Sequence, residues 1–124
     1  MSNPMDQASK CNHALASEKL RRLPPSATVD FDLFCSEHDE AALTRLIIAV
    51  LVDLSPTKGG GVVDWNDEVR LIEDVGFDSL AVAETIFFFE DLFEISISND
   101  EIASLQNIGG LRAFVARKVK VAAA

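Results

Sequence analysis

One serine stands in the acidic run EDVGFDSLAVAETIFFFEDLFE, residues 73–94, directly after an Asp and directly before a long amphipathic stretch. Two kinds of chemistry put a hydroxyl at the start of a helix: a catalytic nucleophile and a point of covalent attachment. A nucleophilic serine needs a base within hydrogen-bond reach and a third group that orients the base. The chain has two histidines, His13 and His38, both far upstream of Ser79, and the local order is Gly76-Phe77-Asp78-Ser79-Leu80 rather than G-x-S-x-G. An Asp beside the serine also opposes a developing oxyanion. Glu73, Asp74 and Asp78 are no better as an acid–base pair, because nothing around so acidic a cluster separates two carboxyl pKa values; a weak cation site is the most they offer. Attachment fits the local physics. A phosphodiester on a serine at a helix start meets unpaired backbone N–H groups and the positive end of the helix dipole. Gly76 permits a tight turn into that helix, and Asp78 is placed to act as its N-cap.

The elements that would hold such a site must come from 124 residues, enough for a single small domain. The formal net charge is −9, unevenly spread. Residues 1–29 hold four bases and two acids, whereas residues 30–124 hold seven bases and eighteen acids. From residue 71 to residue 111 there are nine acids and no Lys or Arg. That surface repels phosphate backbones, which excludes nucleic acid as a partner, and attracts proteins with basic patches. Cys11 and Cys35 make no CxxC and are too few for a disulfide framework, a usage that fits a reducing compartment. Cys11, His13, Cys35 and His38 match no usual zinc-ligand spacing, so no metal is expected. The longest apolar run, LIIAVLV at residues 46–52, is far short of the ~20 residues a membrane span needs, and the N-terminus lacks a signal pattern. The expectation is a cytoplasmic protein without membrane insertion.

Residues 1–36 are polar, lack sustained periodicity and contain Pro24 and Pro25, which stop the helical candidate ALASEKLRRL. They read as a flexible N-terminal extension, with Leu15, Leu20, Leu23, Phe31, Leu33 and Phe34 available to pack on the domain or on a partner. A strong helix follows over residues 37–54, where Leu43, Leu46, Ile47, Val50, Leu51 and Leu54 recur at helical spacing up to Pro56. Residues 55–78 have no clean period. Gly59, Gly60 and Gly61 lack the P-loop order, so the segment reads as a long loop anchored by Val63, Trp65, Val69, Leu71 and Ile72. The second helix opens at the serine, with Leu80, Ala83, Phe87, Phe88 and Leu92 tracing its apolar stripe. Phe87, Phe88 and Phe89 sweep about 200° and cannot all face the core. Ser98-x-x-Glu101 forms a capping box for a short third helix edged by Ile102 and Leu105. The last helix begins near residue 107, with Ile108, Leu111, Phe114, Val115 and Val119 on one side and Arg117, Lys118 and Lys120 near its end. No alternating segment competes for a strand.

Glu73-Asp74-Val75-Gly76-Phe77-Asp78-Ser79-Leu80 resembles the E-D-L-G-x-D-S-L signature of acyl carrier proteins. The resemblance runs from about residue 40 to residue 119, through FFFEDLFEISI and the NIGGL of the last helix. It implies an all-α, four-helix bundle with a short third helix and a long loop between helices 1 and 2, forming a carrier domain over residues 37–121. It further implies that Ser79, flanked by Asp78 and Leu80, receives 4′-phosphopantetheine from coenzyme A through a phosphopantetheinyl transferase. The arm then carries acyl intermediates as thioesters, and the protein itself is no enzyme. Glu84, Phe87, Glu90 and Asp91 would face basic docking patches on the transferase, on a loading ligase and on acyl-processing enzymes of lipid or fatty acid biosynthesis, the carrier being a monomer. Ala81, Thr85, Leu92 and the phenylalanine-rich second helix depart from frequent family choices, and SLQNIGG is similar to specialised carriers such as the nodulation type. Two alternatives stay open: a carrier of aminoacyl or polyketide units, and an unmodified acidic module that binds basic proteins.

Overall fold

The computed structural model describes residues 13–57, 62, 64–103 and 105–123, with only the backbone described at residues 13 and 120–123. Within them the chain is all-α. Its elements are α1 (His13–Lys19), α2 (Pro25–Glu37), α3 (Glu40–Leu54), α4 (Ser79–Phe93), α5 (Asn99–Ile102) and α6 (Ile108–Ala123). No strand forms among the described residues, where an isolated antiparallel bridge joins Arg70 and Asn107.

The helix over residues 37–54 starts three residues later than its periodicity implies, because a second helix ends there. His38 takes a left-handed conformation with φ 54° and donates its backbone N–H to the Phe34 carbonyl at 2.9 Å, which closes α2. Asp39 then caps α3, its carboxylate accepting the N–H groups of Ala41 and Ala42. Leu43, Leu46, Ile47, Val50 and Leu51 are buried as the spacing requires. Being buried along so much of its length, α3 contacts α2, α4 and α6 at once.

The described part of the segment expected to be a flexible extension forms two helices and supplies part of the core. α1 already ends at Lys19, with a turn over residues 20–22 before the prolines, and Pro25 begins α2, since the first helical N–H has no intrahelical partner for proline to lose. Ala27, Phe31 and Phe34 then bury one face of α2, while Ala16, Leu20 and Leu23 are buried upstream of it. The rings interlock with α4: Phe31 stacks on Phe93 at 5.5 Å between centroids, and Phe34 meets Phe93 edge-on at 5.6 Å. Phe89 completes the cluster, 6.4 Å from Phe93. Two of the four phenylalanines of α4, Phe89 and Phe93, thus form one cluster with rings that α2 supplies. Ion pairs reinforce the seam, Arg45 of α3 with the mostly buried Asp30 of α2 at 3.0 Å, and Arg22 with Asp53 at 2.7 Å. Cys35 is disulfide-bonded, against the expectation from its spacing. Spacing carries no signal for that bond, since the chain's other cysteine, Cys11, is 24 positions away and lies outside the described residues.

The long loop is tied to the start of α6 rather than free. Leu71 donates its N–H to the Gln106 carbonyl at 3.0 Å, Ile108 to Val69 at 3.1 Å, and Gly109 to Asp67 at 2.9 Å. A side chain at Gly109 would put its Cβ 3.0 Å from that of Asp67, so Asp67 would have to give by a few tenths of an ångström. Arg112 of α6 pairs with the Asp67 carboxylate at 2.5 Å and approaches Glu40 at 3.8 Å, joining the loop, α6 and α3. The residues 58–61 and 63, including the three consecutive glycines and the expected anchor Val63, lie outside the described residues.

Candidate functional site

The turn that leads into α4 is fixed before the helix begins. Leu71, Val75 and Phe77 are buried. Asp74 and Val75 both donate their N–H groups to the Arg70 carbonyl, Phe77 donates to Leu71, and the Asp74 carboxylate accepts the Arg70 N–H at 2.8 Å. Gly76 sits in the middle at φ 88°, a conformation that side chains disfavour. Asp78 follows as the N-cap, accepting the Ala81 N–H at 2.8 Å. Ser79 is therefore the first residue of a 15-residue helix, and it is exposed.

Around Ser79 lies a half-open cleft of about 480 Å³, lined by Leu71, Ile72, Val82, Ala83, Ile102 and Leu105, with Glu73 and Gln106 at polar positions. Its far wall is the four-residue α5. So short a helix is held by its capping box: Ser98 Oγ accepts the Glu101 N–H at 3.2 Å, and Glu101 accepts the Ser98 N–H at 2.9 Å. Lys118 of α6 grips the same Glu101 carboxylate at 3.1 Å. The Ser98 backbone N–H, with Lys118 second, holds the Glu101 carboxyl below the usual carboxylate range.

The exposed side of α4 is ordered. Leu80, Glu84, Phe87 and Asp91, at i, i+4, i+7 and i+11, are all exposed and form one stripe that runs away from Ser79. Leu80 keeps 69% and Phe87 57% of its surface exposed, and with Ile72 they account for three of the four large exposed hydrophobics among the described residues. The core face of α4 is instead Thr85, Ile86, Phe89, Leu92 and Phe93. Leu80 and Phe87, which share an apolar stripe with Phe88 and Leu92 by spacing, are thus on the outer side, Phe87 where a partner-facing residue is expected. The face is turned because Thr85, polar by type, is buried once its hydroxyl donates to the Ala81 carbonyl at 2.9 Å. Of the three consecutive phenylalanines Phe87 is exposed, Phe88 half-buried and Phe89 buried, as their sweep demands.

The acids of α4 differ in availability. Glu84 is exposed. Asp91 is exposed and pairs with Lys19 of α1 at 3.3 Å. Glu90 is half-buried and accepts the Ile97 N–H at 2.7 Å, so its carboxylate fixes the loop after α4. Glu73 pairs with Arg70 at 3.0 Å. No group of three or more His, Cys, Asp or Glu side chains among the described residues is arranged to hold a metal ion. His38 lines a different cleft with Phe34, Glu40 and Arg117, and the side chain of His13 lies outside the described residues. The cleft itself was not legible in sequence, because its walls come from a loop, α4 and α5, which no single periodicity joins.

The described residues thus form an all-helical bundle that presents a serine at a capped helix start beside an apolar cleft. Comparison with known proteins finds acyl carrier proteins. The chain is 33% identical over 48 residues to the acyl carrier protein of Akkermansia muciniphila, an alignment covering 39% of this chain and 60% of that relative. It is 36% identical over 52 residues to acyl carrier protein MbtL of Mycobacterium sp. (strain MCS), covering 42% and 58%. It is 30% identical over 61 residues to the acyl carrier protein of Desulforapulum autotrophicum, covering 49% of this chain and 79% of that one. The chain belongs to the acyl carrier protein family. It spans about three fifths of the length of the first two relatives. No family model matches the chain, and no solved structure matches it.

Proposed function

We propose that this protein carries acyl intermediates on a 4′-phosphopantetheine arm attached to Ser79. The observation that carries the proposal is the placement of that hydroxyl: solvent-exposed, first in α4, and on the lip of an apolar cleft. The residues present fit the group. The first-turn amides of α4 and the positive end of the helix dipole would meet a phosphodiester on Ser79, while the Ala81 N–H is donated to the Asp78 cap. When bound, the arm supplies a thiol that holds cargo as a thioester.

Loading requires little from this chain beyond access. The Ser79 oxygen forms a bond to phosphorus, the pyrophosphate linkage of coenzyme A breaks, adenosine bisphosphate leaves, and the serine proton passes to the transferase or to solvent. Leu71, Val82, Ala83, Ile102 and Leu105 offer apolar cover to an aliphatic cargo beside the attachment point. The exposed stripe Leu80, Glu84 and Phe87 offers partners one acid between two apolar anchors, a surface complementary to a basic patch with apolar pockets. The partners on this reading are a phosphopantetheinyl transferase, a loading ligase and acyl-processing enzymes, and the protein catalyses nothing. The carrier unit proper is residues 37–121, with the helices before it an addition that shares its core. Dependence on coenzyme A favours the cytoplasm.

The test is intact mass after incubation with coenzyme A and a phosphopantetheinyl transferase. The expected result is a gain of one phosphopantetheinyl group, absent from Ser79→Ala. No gain, or a gain that persists in Ser79→Ala, refutes the proposal.

A further inference from the structure

The N-terminal helices bring a cation to the acidic side of α4. Lys19 closes α1, where a cation also suits the helix dipole, and its ammonium sits 3.3 Å from the Asp91 carboxylate. Its position is set by packing. Lys19, Arg22 and Leu23 line one narrow crevice with Val50, Asp53, Leu54 and Phe88, and Arg22 pairs with Asp53 at 2.7 Å on the α3 side. The Lys19 side chain is 29% exposed, whereas that of Asp91 is 63% exposed and still open to an approaching molecule. A basic residue of the chain's own thus occupies the last acid of the stripe formed by Leu80, Glu84, Phe87 and Asp91.

We propose that α1 is an internal competitor for the docking face of α4: Lys19 holds Asp91, and a basic partner that approaches Ser79 gains the far end of the stripe by displacing it. This rests on the reading of Ser79 as the attachment site, because the partner to which the proposal commits is the transferase that must reach that serine. Twelve residues of helix separate Ser79 from Asp91, about 18 Å. One side of an ordinary protein interface covers about 800 Å², a disc of roughly 16 Å radius. Asp91 therefore lies at the periphery, just outside a patch of that size centred on Ser79 and within reach of one that extends along the stripe. Rim charges act mainly on the encounter rate and its salt dependence, so the competition is read in kcat/KM and leaves kcat unchanged.

The experiment measures transferase kinetics on the full chain and three variants. Lys19→Gln raises kcat/KM about two- to fivefold at low ionic strength, the range expected for releasing one exposed ion pair, and the gain fades near 0.5 M salt. Lys19→Arg keeps the charge and stays at the wild-type value. In an Asp91→Asn background Lys19→Gln gives no gain, which separates relief of Asp91 from the general increase in negative charge. An unchanged kcat/KM in Lys19→Gln, or an equal gain in the Asp91→Asn background, overturns the competition while leaving the carrier reading intact. Absence of any phosphopantetheinyl mass gain in every variant overturns both.

Discussion

Phe93 is the side chain on which the N-terminal helices and the carrier bundle meet, and removing its ring measures that junction. It is fully buried, with Phe31 at 5.5 Å, Phe34 at 5.6 Å and Phe89 at 6.4 Å between centroids. A buried Phe→Ala change costs about 3–5 kcal/mol through lost transfer energy and the cavity left behind. For a chain of 124 residues, 4 kcal/mol corresponds to a fall in melting temperature of about 15 °C. Phe31→Ala is expected to cost a similar amount, because Phe31 is equally buried. The two changes should not be additive. The double variant is expected to lose about 0.5–1.5 kcal/mol less than the two single losses together, which is the worth of a stacked aromatic pair beyond its buried area. Equilibrium urea unfolding followed by far-UV circular dichroism measures all four corners of the cycle. If Phe31→Ala costs under about 1 kcal/mol and shows no coupling while Phe93→Ala keeps its full cost, α2 does not pack on α4 in solution. The segment before residue 37 would then be the loose extension that its polarity implies.

Two further outcomes follow from the same structure. Gly76→Ala has open space for its Cβ, so its cost is the backbone strain of φ 88° alone, about 1 kcal/mol in urea unfolding; a loss above 3 kcal/mol would mean that space is not open. In acid, Asp67, whose carboxyl Arg112 holds below the usual range by a hydrogen bond, and Glu101 both resist protonation when folded. The unfolded chain then takes up protons first as pH falls. Their contribution to stability is complete above about pH 5 and is lost as pH drops through 4 and below. Urea midpoints at pH 7, 4.5 and 3 should show that decline, and Arg112→Gln with Lys118→Gln should flatten it; an equally steep decline in the double variant would assign it to other groups.

Much of the site was legible because it is local. A glycine, an acid and a serine in the order Gly76, Asp78, Ser79 specify a turn, a cap and an exposed hydroxyl within four residues. The capping box at Ser98 and Glu101 was readable for the same reason, since both of its hydrogen bonds lie within one turn. The buried stripes of α3 and α6 follow from 3.6-residue periodicity. Polarity misled at residues 13–37, where Ala27, Phe31 and Phe34 already stand at helical spacing but are diluted by exposed Ser and Asp, and where prolines mark a start as well as a stop.

The sequence by itself determined where the chain turns into helix, which end of α4 carries the serine, and the sign of the surface around it, because each of these is set by neighbours within a few residues. Tertiary structure decided which face of α4 is outward, that two N-terminal helices complete its core, that Glu90 is committed to Ile97 while Glu84 is not, and that a loop, α4 and α5 enclose a cleft beside Ser79. Those outcomes depend on which distant surfaces bury one another, as when Phe31 finds Phe93 across 62 positions of chain. Burial is a property of the assembled fold, and no short window of sequence contains it.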